Sequence, residues 1–214
     1  MKRIILLGLL LVFLAPMVFA QEKVEAPIWN VGDKWIFIGN WNVEVIKADQ
    51  RGYVLKYSDG SCVFESQGCN TILFEKSTRN RLNAIEGDKL KKYTMGLSKV
   101  LDFPLSSGKQ WKYTYSGKSF VGGGMHQTAY DYSENYKVLG WEDAEVRAGK
   151  FKAVRLEYKR VVTGTSGWGV MGEEIINQYW YSPDVKNIVK HQFEDGPLWT
   201  RSEDSELTLF ELKK

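Results

Sequence analysis

From Lys34 onward apolar and polar residues alternate with a period of two, and this limits the chain to half-buried β-strands more firmly than any other feature. The clearest run is Phe151 to Val161, where Phe151, Ala153, Arg155, Glu157 and Lys159 interleave with Lys152, Val154, Leu156, Tyr158 and Arg160. Successive side chains on an extended backbone point to opposite faces, so from Ala153 on one face is charged and the other is Val, Leu and Tyr. The same rhythm marks Trp41 to Val45, Tyr53 to Tyr57 and Trp111 to Tyr115. Further strands are predicted over Trp35–Ile38, Thr71–Glu75, Ala129–Leu139, Glu174–Tyr181, Asn187–Phe193 and Glu206–Leu212. Clusters such as Ser58-Asp59-Gly60 and Glu86-Gly87-Asp88 supply turns between them, and no segment carries a long helical stripe.

Consecutive antiparallel strands with one apolar face must bury that face, and a long twisted sheet does so by curling. The expected fold is all-β: a strongly curved antiparallel sheet of about eight to twelve strands, a closed or half-open barrel. A faint internal echo suggests two copies of one β-meander. Gly32-Asp33-Lys34-Trp35-Ile36-Phe37 resembles Gly108-Lys109-Gln110-Trp111-Lys112-Tyr113. Each is followed by a matching strand pair: Val43 to Ile46 with Val54 to Tyr57, then Tyr136 to Leu139 with Val154 to Tyr158.

The first twenty residues read as a secretory signal: Lys2 and Arg3, an apolar run from Ile4 to Leu14, then Pro16 and the small-residue exit Val18-Phe19-Ala20. The run is shorter than the ~20 residues a spanning helix needs, so the chain is not expected to be an integral membrane protein. No Cys follows Ala20 to mark lipidation, and the mature protein is expected to begin at Gln21, in the periplasm or outside the cell. The division is then residues 1–20 signal, 21–28 a short tail without periodicity, and 29–214 one β domain. Losing Lys2 and Arg3 lowers the formal charge from +3 to +1, and the remaining Lys and Arg are interleaved with acids. Nucleic acid requires a concentrated basic surface, so none is expected as a partner.

Export also decides how Cys62 and Cys69 are read. In an oxidising compartment two cysteines at short spacing form a disulfide, here stapling a hairpin around Ser66-Gln67-Gly68. Closing so short a loop contributes about 2 to 3 kcal/mol.

Aromatic residues make up 14% of the chain, with eight Trp and eleven Tyr, enough to tile a sheet face. Trp111, Tyr113 and Tyr115 are in phase, as are Tyr130 with Tyr132 and Tyr179 with Tyr181, and Tyr158 joins them from its own strand. Two readings stand: packing of a large aromatic core, or a ligand face able to take an acyl chain. Gly122-Gly123-Gly124-Met125 and the loop carrying Trp168 are either plain connections or a lid over that face. Gly167-Trp168-Gly169-Val170-Met171-Gly172 spells the dinucleotide fingerprint, but the following residues read as strand where that motif needs a helix. His126 and His191 lack partners at zinc-ligand spacing, no G-x-S-x-G elbow is present, and Glu173 and Glu174 point to opposite faces if extended. The chain is therefore expected to be non-catalytic, with no metal and no cofactor.

Three segments carry a resemblance: Trp29-x-x-Gly32-Asp33-Lys34-Trp35, Ala148 to Val154, and Tyr179-Trp180-Tyr181-Ser182-Pro183-Asp184-Val185 leading into Ile188-Val189-Lys190. They look like an uncharacterised class of exported bacterial β-proteins, which in turn resemble the curved-sheet lipoprotein carriers of the LolA and LolB type. The resemblance covers that early segment and most of the second half; it implies fold, and no catalytic residues travel with it. The expected function is an exported envelope protein that binds or carries a lipid or a lipidated protein. The other reading is an interaction module whose aromatics stack on glycan or pack against another envelope protein.

Overall fold

The computed structural model describes residues 22–50, 52–58, 62–66, 72–75, 101–121, 126–166, 169–196 and 204–214, with backbone alone for 62–66, 72–75, 115, 117–121, 126–129, 165, 166 and 169–171. Its strands are β1 (Lys23–Val24), β2 (Lys34–Phe37), β3 (Asn42–Asp49), β4 (Gly52–Tyr57), β5 (Cys62–Ser66), β6 (Ile72–Glu75), β7 (Leu105–Ser106), β8 (Gln110–Val121), β9 (His126–Val146), β10 (Gly149–Ser166), β11 (Gly169–Ser182), β12 (Asn187–Asp195) and β13 (Ser205–Glu211). Eleven of them form one antiparallel sheet in the order β6-β5-β4-β3-β2-β13-β12-β11-β10-β9-β8. Among the described residues the ends β6 and β8 are not joined to each other, so the sheet is open. Among the described residues no helix is long and apolar enough to cross a membrane.

The echo in the sequence is a repeat in the structure. Asp33 N–H donates to Asn30 O (3.0 Å), Gly32 N–H to Val45 O (2.8 Å) and Val45 N–H to Asp33 O (2.9 Å). One copy later, Lys109 N–H donates to Ser106 O (3.0 Å), Gly108 N–H to Val138 O (2.8 Å) and Val138 N–H to Lys109 O (2.8 Å). Both turns need a left-handed residue, supplied by Gly32 at φ +92° and Gly108 at φ +83°. Register follows suit: Trp35, Val43 and Tyr57 oppose one another in series, as do Trp111, Tyr136 and Tyr158, and Val45–Leu55 corresponds to Val138–Leu156. Each copy even bulges at the next residue, Ile46 after Val45 and Leu139 after Val138. Strands β2 to β4 and β8 to β10 are thus equivalent and follow the same direction in the sheet order, with β13 standing between β2 and β12.

The second copy is much the longer. Strand β9 has 21 residues, about 70 Å when extended, where strands usually have fewer than about ten. Curvature is measured by what its hairpin end reaches. Ala148 N–H donates to Leu207 O (3.0 Å), Arg147 Nε lies 2.8 Å from Glu206 Oε1, and the Phe151 and Phe210 ring centres are 5.8 Å apart. In sheet order β11 and β12 stand between β10 and β13, roughly 14 Å of flat sheet, so contact requires the sheet to fold over.

The core lies inside that fold. Val154 and Leu156 are each 1% exposed, as the alternation from Phe151 requires, and Trp35, Val45, Val138, Val185, Val189 and Leu207 are fully buried. The Trp35 indole N–H donates to Val185 O (2.8 Å) and that of Trp29 to Lys186 O (2.9 Å), so the β11–β12 turn caps the first copy's tryptophans without stranding a polar group. The segment read as a short tail without periodicity contributes β1, which pairs with β7 and buries Val24 in the core. Two residues of strand are too short to show a period, so the pairing had no signature in the sequence.

Candidate functional site

Directly opposed residues of an antiparallel pair share a face, so register alone assembles the site. Trp111 of β8, Tyr136 of β9, Tyr158 of β10 and Asn177 of β11 form one row across four strands. On the core side comes the row Val138, Leu156, Tyr179 and His191, then Val154 with Tyr181. Away from the core come Tyr113, Glu134, Arg160 and Ile175, followed by Tyr115, Tyr132, Val162 and Glu173, with Tyr130 opposite Gly164 beyond them. Trp111, Tyr113, Tyr130, Tyr132, Tyr158, Tyr179 and Tyr181, proposed from sequence as a ligand face, therefore lie on one side of the sheet, and the backbone of Tyr115 stands opposite Tyr132.

Their rings touch in a chain. Trp111 stacks on Tyr136 with centres 5.1 Å apart and planes 3° apart, Tyr113 meets Tyr136 edge-on at 6.4 Å, and Tyr136 lies 4.9 Å from Tyr158. Tyr158 then meets Tyr179 at 6.2 Å, and Tyr179 stacks on His191 at 4.8 Å. Tyr130 and Tyr132 form a separate pair at 6.2 Å. Tyr181 differs from the rest: it is 1% exposed and packs on Phe103, so it belongs to the core. Trp111, Tyr113, Tyr130, Tyr132, Tyr158 and Tyr179 are half-buried.

A carboxylate sits among them. Glu134 is 3% exposed, and its oxygens accept the hydroxyls of Tyr136 (3.2 Å) and Tyr158 (3.1 Å). Such a charge is tolerated inside because these donors replace water. Burial, reinforced by the Glu134 charge and opposed by Arg160, pushes the Tyr179 hydroxyl up to about 12. The same causes, with the hydrogen bond to Glu134 added, push Tyr158 higher still. Both phenols consequently stay protonated and able to donate. His191 Nε2 lies 2.9 Å from Asn177 Oδ1 on the same face.

The two copies treat the tryptophan of this face differently. Trp35 is sealed in the first, with the Trp29 ring 5.6 Å from it, whereas its counterpart Trp111 is half-buried in the second; the pairs Val43 and Tyr136, Val45 and Val138, Leu55 and Leu156 are buried in both copies, and Tyr57 and Tyr158 are half-buried in both. The opposite face of the second copy is covered by charge: Arg155 (5.3 Å) and Lys190 (4.8 Å) lie over the Trp180 ring, and its N–H donates to Glu142.

Sequence reasoning missed Tyr136, Glu134 and Arg160. The signal was present, since Tyr130, Tyr132, Glu134 and Tyr136 share one phase and Arg160 follows Tyr158 by two. Gly169 to Gly172 lie in β11, with Gly169 opposite Ser166, so the glycine fingerprint opens no helix. The proposed lid residues Gly122, Gly123, Gly124, Met125 and Trp168 lie outside the described residues, as does Cys69. The backbone of Cys62 stands in β5 opposite Glu75.

No protein-family model matches this chain, and no curated protein matches it. Three solved structures are similar in part. A protein from Bacteroides fragilis, described as exported and with a YmcC-like fold, aligns at TM-score 0.40 and 10% identity over 88% of this chain and 99% of its own. A protein from Parabacteroides distasonis described as a lipoprotein aligns at TM-score 0.39 and 11% identity, covering 89% and 100%. The hypothetical lipoprotein YmcC from Escherichia coli aligns at TM-score 0.35 and 10% identity, covering 79% and 81%.

Proposed function

We propose that this chain is a non-catalytic exported envelope protein that binds an apolar ligand, a lipid or a lipidated protein, on the aromatic face of β8 to β11. The observation that carries the reading is the chain of touching rings on β8 to β11, in which Trp111, Tyr113, Tyr158 and Tyr179 are half-buried around a buried Tyr136, and Trp111 stays partly open where its first-copy counterpart Trp35 is sealed. Covering about 200 Å² of such surface with an acyl chain contributes roughly 5 kcal/mol. The signal-like first twenty residues and the motifs resembling exported bacterial β-proteins, a class that in turn resembles the LolA and LolB carriers, support the same reading. Native mass spectrometry of the protein purified from its own envelope tests it. A bound lipid mass is expected; a clean apo mass, together with tryptophan fluorescence unmoved by added acyl chains, overturns the proposal.

A further inference from the structure

Arg160 faces Glu134 directly across the β9–β10 ladder, yet the Glu134 oxygens accept from the Tyr136 and Tyr158 hydroxyls, and the buried Arg160 Nε has no hydrogen-bond partner. A buried N–H without an acceptor is a cost that native folds rarely carry, and a function for the group is one reason to carry it. The residue is also oddly placed for a strand that alternates so cleanly, because it stands on the Val154, Leu156, Tyr158 side beside buried Ile175. Guanidinium presents a planar fork of N–H groups that matches the paired oxygens of a phosphate or carboxylate. We infer that Arg160 is the head-group contact of the aromatic face, selecting amphiphiles whose apolar chain ends in a phosphate or carboxylate. Tyr158, in the next row on the same strand, adjoins this point and places the charged end next to the rings that take the chain, with Tyr113 beyond Glu134 in the same row.

This inference rests on the apolar-ligand reading, and the test separates the two. The full chain is titrated calorimetrically with monododecyl phosphate, with uncharged dodecyl glycerol ether and with inorganic phosphate. The expected result is binding of both dodecyl ligands, with the phosphate at least about tenfold tighter, the factor equivalent to one charge-assisted hydrogen bond. Arg160→Met is expected to abolish that preference, weakening dodecyl phosphate far more than the uncharged ligand. Arg160→Lys, which keeps the charge but removes the Nε–H, is expected to bind dodecyl phosphate more weakly than the parent chain and decides the matter if the first variant fails to fold. Equal affinity for the two dodecyl ligands, or a preference that survives both substitutions, overturns the role of Arg160 and leaves the apolar-ligand reading standing. Binding of neither overturns both. Inorganic phosphate held as tightly as dodecyl phosphate supports an anion contact at Arg160 and identifies the free ion, not an amphiphile, as its source.

Discussion

Val45 and Val138 occupy the same place in two copies of one unit: each exchanges both backbone hydrogen bonds with a glycine turn, and each is followed by a bulged residue. A shared turn, register and bulge position make the repeat a physical identity of backbone path, and they allow equivalent residues in the two copies to be compared directly.

The two turn glycines respond differently to substitution. A Cβ at Gly108 meets nothing within 4 Å, so Gly108→Ala is expected to cost only the left-handed backbone, about 1 kcal/mol. At Gly32 the added carbon stands 3.1 Å from Lys213 Cε and 3.2 Å from its Cγ, and the Lys213 backbone is tethered to Asp33, so Gly32→Ala is expected to cost more. Urea midpoints of the two variants make the comparison.

Asp33 is fully buried, and its carboxylate accepts the backbone N–H groups of Asn30 (2.9 Å) and Lys213 (2.6 Å). Asp33→Ala strands both donors and is expected to cost about 2 to 5 kcal/mol. Hydrogen exchange should quicken at Lys213 and Asn30 ahead of β9 and β10. Asp33→Asn keeps one acceptor oxygen and should lose less.

Leu156→Ala, in the core, is expected to cost about 2 to 5 kcal/mol, while Leu209→Ala, 59% exposed, should stay within about 0.5 kcal/mol. Equal effects by denaturant titration would show that the β10 face is not the core.

The buried phenols make stability fall in alkali. A folded pKa raised above its unfolded value of 10.0 contributes stability that is complete below pH 10.0 and is lost, for Tyr179, as pH rises through about 12. Glu134→Gln removes a negative neighbour, so the Tyr158 and Tyr179 ionisations are expected to move down and the alkaline loss to shrink. Phenolate absorbance and unfolding midpoints against pH check both.

Much of this was legible beforehand because a period of two is a local property. The face of Val154, Leu156 and Tyr158, the turn at Gly32 and Gly108, and the common phase of Trp111, Tyr113, Tyr130, Tyr132 and Tyr158 all follow from neighbours in the chain. The full length of β9 did not, since it was expected to end at Leu139 and the bulge there shifts the alternation before the strand resumes to Val146. A one-residue slip exchanges the two faces, and no count along the chain reveals where it occurs.

Alternation and turn chemistry by themselves determined that this chain is β and which residues of each strand face together, and they suggested that one unit occurs twice. Only the tertiary structure decided that Tyr181 is core while Trp111 stays half open, that Glu134 takes two phenol hydroxyls, and that Arg160 Nε is left without an acceptor. The reason is that side-chain direction is set within a few bonds, whereas burial depends on which distant strand the curving sheet brings over it.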